Sequence, residues 1–300
     1  MNDQAQGLRN LILNRKQNAG QEPISSVPQT RTTQILTVTS GKGGVGKSNF
    51  TLNFALALQK RGYKVLVFDA DIGLANIDVL MGITAKYNLY HLLKKEKSIW
   101  DIIQKGPHDL QFIAGGSGFH DLIRLTDGQL DDFAHQVKLL NGTVDYIIFD
   151  TGAGLSKETL KFILAAEETI VVTTPEPTSI TDAYAIIKMI HAMSADVKFK
   201  LVVNRVTDSK EGKQTADKIS MVAQKFLQLD IPVLGYVADD SSVSRAVKKQ
   251  VPFTVEFPNS AASKSIAGLA DHFLARHSPN PRSESAVEGF MSRMIRLLKS

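Results

Sequence analysis

The sequence predicts an α/β fold: a doubly wound, mainly parallel sheet flanked by helices, with a short helical extension at each end. Three observations predict it. Short, nearly continuous apolar runs recur at Ile35–Thr39, Val65–Phe68, Leu110–Ile113, Tyr146–Phe149, Thr169–Thr173, Leu201–Val203 and Val233–Val237. Their β-branched character suits strands buried on both faces. Helical patterns separate them, as at Phe50–Arg61, Ser179–Met193 and Thr215–Leu229, and strands alternating with helices build parallel sheets. A glycine-rich turn, residues 41–48, joins the first strand to the first helix.

Composition narrows the classes. Three hundred residues, 43% hydrophobic and 22% charged, suffice for a large buried core. The absence of cysteine removes disulfides and thiolate metal sites. No two of the seven histidines stand four apart, which disfavours a histidine-based metal site. No apolar run approaches the roughly 20 residues of a membrane span. The polar N-terminus does not read as a signal peptide, so a cytoplasmic protein is expected. The net charge of +5 lies entirely in the ends. Residues 1–33 carry four basic and two acidic side chains, residues 276–300 five and two, and the span between them 26 of each. A neutral body argues against a nucleic-acid partner.

Two stretches read as linkers. Residues 17–33 are rich in Gln, Ser, Thr and Pro, and residues 277–285 (HSPNPRSES) are similar. They divide the chain into a segment 1–16, a main domain 34–276 and a tail 286–300.

The chemistry is concentrated in Gly41-Lys-Gly-Gly-Val-Gly-Lys-Ser48, which fits G-x-x-x-x-G-K-[ST] between a strand and a helix. Glycines let backbone N–H groups turn inward around phosphates, and the following helix N-terminus adds positive potential. Lys47 can then reach the β- and γ-phosphates and the Ser48 hydroxyl can ligate Mg²⁺. ATP/ADP and Mg²⁺ are the expected ligands. Gly41, Lys42, Gly43, Gly44, Val45, Gly46, Lys47, Ser48 and Asn49 are the expected binding residues. Acidic residues end two strands: Val65-Leu-Val-Phe-Asp-Ala-Asp71, and Tyr146-Ile-Ile-Phe-Asp150 followed by Thr-Gly-Ala-Gly154. Carboxylates at the ends of buried strands are costly unless they serve a cation or a hydrogen-bond network.

With its second lysine, Lys42, this motif resembles the deviant Walker A motif of the MinD/ParA family. The resemblance covers about residues 34–275. It implies an ATPase that forms a homodimer with ATP, with Lys42 reaching the partner's nucleotide. Asp69 to Asn76 (DADIGLAN) looks like the family's switch I. Asp71 would orient the attacking water and Asp69 would support Mg²⁺ from behind its ligands. Asp150 would be the Walker B residue holding Mg²⁺, with switch II after it. Asn204, after strand Leu201–Val203, would recognise the base, with Arg205 beside it.

The ends suggest the branch. On a helical wheel, Val287, Phe290, Met291, Met294, Ile295, Leu297 and Leu298 fall within about 160°, with Arg293, Arg296 and Lys299 on the polar side. Such a helix suits an anionic membrane, placing the ATP-bound protein on the inner face of the plasma membrane; packing on the chain's own core is the competing reading. At the other end, Asp3-Gln-Ala-Gln-Gly-Leu-Arg9 resembles the D-Q-A-x-x-L-R element of the FlhG (FleN) branch, regulators of flagellar number and placement. That resemblance implies stimulation of the GTPase FlhF through residues 3–13 and contact with the flagellar switch proteins FliM and FliN. A MinD-type division-site regulator and a ParA-type DNA-partitioning ATPase are the alternatives.

Overall fold

The computed structural model describes residues 33–71, 76–116, 126–276 and 286–299. Expectations for segment 1–16, linker 17–33 up to residue 32, residues 72–75 of switch I, and linker 277–285 lie outside the described residues.

Among the described residues, eight strands form one sheet: β1 (Gln34–Thr39), β2 (Val65–Ala70), β3 (Gln104–Lys105), β4 (Gln111–Ile113), β5 (Tyr146–Thr151), β6 (Glu168–Thr173), β7 (Lys198–Val206) and β8 (Val233–Ala238). Their order is β3-β4-β2-β5-β1-β6-β7-β8, parallel except for the β3–β4 pair at one edge. The helices are α1 (Lys47–Gln59), α2 (Ile77–Leu80), α3 (Leu89–Leu93), α4 (Ile99–Ile102), α5 (Asp127–Lys138) and α6 (Lys157–Ala165). After them come α7 (Pro177–Met193), α8 (Ser209–Leu227), α9 (Ser241–Lys248), α10 (Phe253–Glu256), α11 (Ala261–Arg276) and α12 (Ala286–Lys299).

Alternate strand residues face opposite layers. Leu36 and Val38 of β1, with Tyr146 and Ile148 of β5, pack under α1 and α11. Ile35, Ile147 and Phe149 point the other way, into a core with Phe133, Phe162 and α12. Farther along that second face, α7 and α8 cover Val171, Leu201 and Val203. The doubly wound, mainly parallel sheet is therefore present. The antiparallel edge strand, only two residues long, has no periodicity to announce it.

The tail forms the expected helix, and its apolar arc meets the protein's own core. Val287, Phe290, Met291 and Met294 are buried, and Ile295, Leu297 and Leu298 are partly so. Burying a large apolar side chain contributes about 1.5–3 kcal/mol, before the cost of ordering the helix. The polar side is engaged too. Arg293 Nε donates to the Ala165 carbonyl at the end of α6, 2.8 Å away. Lys299 Nζ lies 3.6 and 3.7 Å from Asp127 and Asp131 of α5. Here the competing reading of the wheel is the one observed: a wheel shows that one side is apolar, not what that side meets.

Candidate nucleotide site

The central strand β1 delivers the glycine-rich turn to the middle of the sheet's C-terminal edge. Gly44 and Gly46 adopt φ of 82° and 89°, which only glycine adopts readily. A Cβ on Gly46 would come within 2.5 Å of Asn204 Nδ2, and one on Gly41 would overlap the backbone of Asp182. The turn is thus pressed between β7 and α7. Helix α1 begins at Lys47 with no side-chain cap and no acidic residue in its first turn. Its first N–H groups and its positive dipole end are left for an external anion, as a phosphate requires.

Asp69 and Asp150 stand opposite each other in the β2–β5 register, both fully buried. Lys47 Nζ lies 3.0 Å from Asp150 Oδ1 and 3.2 Å from Ser48 Oγ. Thr51 Oγ1 donates to the same Asp150 oxygen at 2.8 Å. Asp150 Oδ2 is buried without a hydrogen-bond partner among the described residues. Such an oxygen suits a cation or its water. No group of three or more His, Cys, Asp or Glu side chains forms a metal cage among the described residues. Mg²⁺ needs none, since it keeps several waters and adds phosphate oxygens to one or two protein ligands. Ser48 and Asp150 fit that sparse set.

Asp69 is held differently. Its Oδ1 accepts from the Asp71 amide (3.2 Å) and its Oδ2 from the amides of Asn76 (2.9 Å) and Ile77 (3.1 Å). Burial, and then the Asp150 charge, raise its pKa to about 7 against the pull of the Ile77 and Asp71 amides and Lys47. Asp69 therefore clamps both ends of the loop that carries Asp71. The Asp71 carboxylate lies near the turn after β5: a Cβ on Gly152 would be 3.5 Å from its Oδ1. That turn is tied to the phosphate loop by the Gly154 amide, which donates to Ser40 O at 2.8 Å.

Lys42 Nζ rests at the start of α7, 3.0 Å from Thr178 Oγ1 and 3.4 Å from Glu176 Oε2. On the other side of the turn, Asn204 Nδ2 donates to Val45 O at 2.8 Å. Arg205 takes φ of 59°, a strained value for a non-glycine residue. Both line a cavity of about 390 Å³ together with Gly46, Asn49 and Phe50, closed by the C-terminal end of β8, the start of α9, Phe253 and Ile266. The structure thus brings Asn204, Arg205 and Asn49 to one cavity and Lys47, Ser48 and Asp150 to one cluster. Sequence reasoning missed Glu176, Thr178, Thr51 and the junction of β8 with α9. For Thr51 a signal existed: it lies four residues after Lys47, one helical turn away. The others come from separate elements without motif.

The ParA family, described as NUBPL iron-transfer P-loop NTPases, matches residues 31–274. Without cysteine, these 300 residues offer no thiolate for iron–sulfur ligation, so only the nucleotide part of that description finds its residues here. The flagellum site-determining protein YlxH of Helicobacter pylori is 39% identical over 302 residues, covering 100% of this chain and 99% of its own. The antiactivator FleN of Pseudomonas aeruginosa is 34% identical over 263 residues, covering 87% of this chain and 93% of its own. Among solved structures, MinD of Pyrococcus horikoshii complexed with Mg-ADP superposes with a TM-score of 0.67 at 25% identity, covering 81% of this chain and 98% of that one.

Proposed function

Because this chain belongs to the FleN/YlxH branch of the MinD/ParA P-loop NTPases, we propose that it is an ATP-dependent dimerising switch regulating flagellar number and placement, hydrolysing ATP to ADP. The observation that carries the nucleotide reading is the uncapped start of α1 beside Lys47 and the partnerless Asp150 oxygen.

In this reading the loop amides and Lys47 bind the phosphates, Lys47 exchanging Asp150 for a phosphate oxygen. Ser48 and Asp150 would hold Mg²⁺, which when bound supplies positive charge to the phosphate oxygens. Asp71 orients the attacking water, and Asp69 fixes the loop that carries it. Asn204 and Arg205 take the base side. Lys42 leaves Glu176 and Thr178 to reach the nucleotide of a second copy.

The switch acts through partners: residues 3–13 on the GTPase FlhF, another surface on FliM and FliN, and residues 286–300 on an anionic membrane. Among the described residues no helix is long and apolar enough to cross a membrane; in this reading the amphipathic α12 lies on the surface. Since α12 is docked on the body, it must leave that groove before its apolar face can enter lipid. Arg293 and Lys299 then exchange α6 and α5 for headgroups, joined by the exposed Arg296.

Size-exclusion chromatography with saturating ATP tests the core of this reading. Lys47→Ala loses nucleotide binding, whereas Asp71→Ala binds ATP and accumulates as a dimer. A strictly monomeric Asp71→Ala protein would overturn the assignment of Asp71.

A further inference from the structure

We propose that a cavity beyond the nucleotide site is a second ligand site, taking a small, neutral, largely apolar molecule with one N–H or O–H donor, and that it acts on the base side through a shared wall. The cavity measures about 620 Å³ and lies where the C-terminal end of α1 meets α10 and α11. Pockets of this size hold small ligands. Leu56, Ala57, Val255, Pro258 and Ala267 give it apolar walls.

Its polar feature is Gln59. The Gln59 amide Nε2 donates to His108 O at 2.6 Å, which tells its nitrogen from its oxygen. Oε1 is left buried without a partner among the described residues. An unmet buried carbonyl is unfavourable, and a donor entering the cavity relieves it after a small turn of the Gln59 side chain. The backbone that Gln59 grips is strained: His108 and Asp109 both have positive φ, 54° and 61°. Arg61, also at the cavity, does not offer a free charge. Its Nε and Nη2 bind the two Asp271 oxygens at 2.6 and 2.7 Å, Nη2 also reaches Ala267 O, and Nη1 reaches Ala57 O. Lys60, the other cation at the cavity, is exposed and keeps its ammonium in water. The buried polar atom is thus the Gln59 acceptor, which selects a neutral donor over an anion.

Consecutive residues of the same helices face the two cavities. On α10, Phe253 lines the base-side cavity and Thr254 the second one; on α11, Ile266 and Ala267 divide in the same way. A chain of hydrogen bonds crosses between them. The Thr254 amide and hydroxyl both donate to Asn53 Oδ1, at 2.9 and 2.8 Å, and Asn53 Nδ2 donates to the carbonyl of Asn49, which lines the base side. A ligand that shifts α10 therefore shifts the base side, and the coupling is reciprocal.

The test uses the full ¹⁵N-labelled chain and two probes of one shape, indole, which has an N–H, and benzothiophene, which has none. Indole should give saturable amide shifts in residues 56–61 and 254–267, with benzothiophene about three- to tenfold weaker. Gln59→Met should equalise the two probes, and Ala267→Phe should fill the cavity and abolish both while the spectrum stays dispersed. Saturating indole should change ATP affinity at least about twofold in the parent and not in Ala267→Phe, within the usual range of coupling. Absence of saturable shifts, equal binding of the two probes by the parent, or an unchanged ATP affinity overturns the proposal. Indole binding by a protein that fails to bind ATP leaves the cavity standing and sinks the nucleotide site instead.

Discussion

The ring of Phe290 in α12 stacks on the ring of Phe149, the residue immediately before Asp150, with centroids 4.8 Å apart and planes 17° from parallel. Phe162 of α6, the helix that follows the turn after β5, joins the same group at 6.5 Å from Phe290 and 5.3 Å from Phe149. The tail thus touches the strand that carries a phosphate-site carboxylate and the helix that leads away from it.

Removing that ring should be costly. Truncating a buried Phe to Ala typically loses about 3–5 kcal/mol, and undocking of α12 caps the loss in Phe290→Ala. Urea unfolding should show a loss of at least about 2 kcal/mol, and limited proteolysis should cut between Arg276 and Ala286. A loss below about 1 kcal/mol would mean that α12 does not rest on the body in solution.

The ionic contacts of the tail can be weakened without touching α12. Asp127→Asn combined with Asp131→Asn removes both partners of Lys299. These pairs are exposed, so the gain in released helix is modest, about two- to fivefold. Flotation with anionic liposomes in the absence of ATP should rise accordingly, while neutral liposomes should recover no more of the variant than of the parent. Equal flotation of variant and parent on anionic liposomes counts against a docked tail as the brake.

A pH dependence follows from Asp69. Its pKa is raised from 3.8 to about 7 in the folded chain, so the folded state holds a proton that the unfolded state has already lost. The stability from this group is full below about pH 4 and is lost as pH rises through about 7. The slope cannot exceed about 1.4 kcal/mol per pH unit. Without added Mg²⁺, the difference in unfolding free energy between the parent and Asp69→Asn should drift in this direction from pH 5 to 8. A flat difference would show that Asp69 stays charged throughout.

Asn204 ties the phosphate loop to the base side, so Asn204→Ala should act on both. Loss of the 2.8 Å bond to Val45 O frees the loop, and loss of the amide removes a base contact. Together these should weaken ATP about tenfold or more, as expected for one or two hydrogen bonds. Calorimetry should show GTP weakened less than ATP if the amide reads the base, and both equally if Asn204 serves the loop alone.

The N-terminal segment can be tested as a peptide. Residues 1–20 should raise GTP hydrolysis by FlhF with no ATP present, and a Leu8→Asp peptide should not. An inert parent peptide at saturating concentration removes the activating role.

Much of the architecture was legible because a parallel sheet buried on both faces writes itself as apolar runs. The runs at Tyr146–Phe149 and Thr169–Thr173 fall within β5 and β6. β7 extends well beyond Leu201–Val203, because Lys198 and Lys200 break its apolar pattern and only the paired strand β6 keeps them in line. The phosphate loop was legible for a different reason: its residues are contiguous, and each has a local task. The β8–α9 junction and Glu176 have no such signature. They reach the site only because β8 and β6 end at the same edge of the sheet, which is a property of topology. Asp69 shows the limit most clearly, since one of its oxygens is taken by the amide two residues on and the other by amides seven and eight residues on. An acidic strand end cannot say in advance what will fill its hydrogen bonds.

The docking of α12 also bears on how the protein can be handled. Cutting away a lipid-seeking tail is the usual route to a better-behaved sample. Here a chain ended at Arg276 would uncover Phe149, Phe162, Phe133 and Val137, which share a core with the tail. An apolar surface of that kind draws other copies together. The shortened protein should therefore precipitate more readily than the full one, and any ATPase rate measured on it would describe a molecule with an open flank.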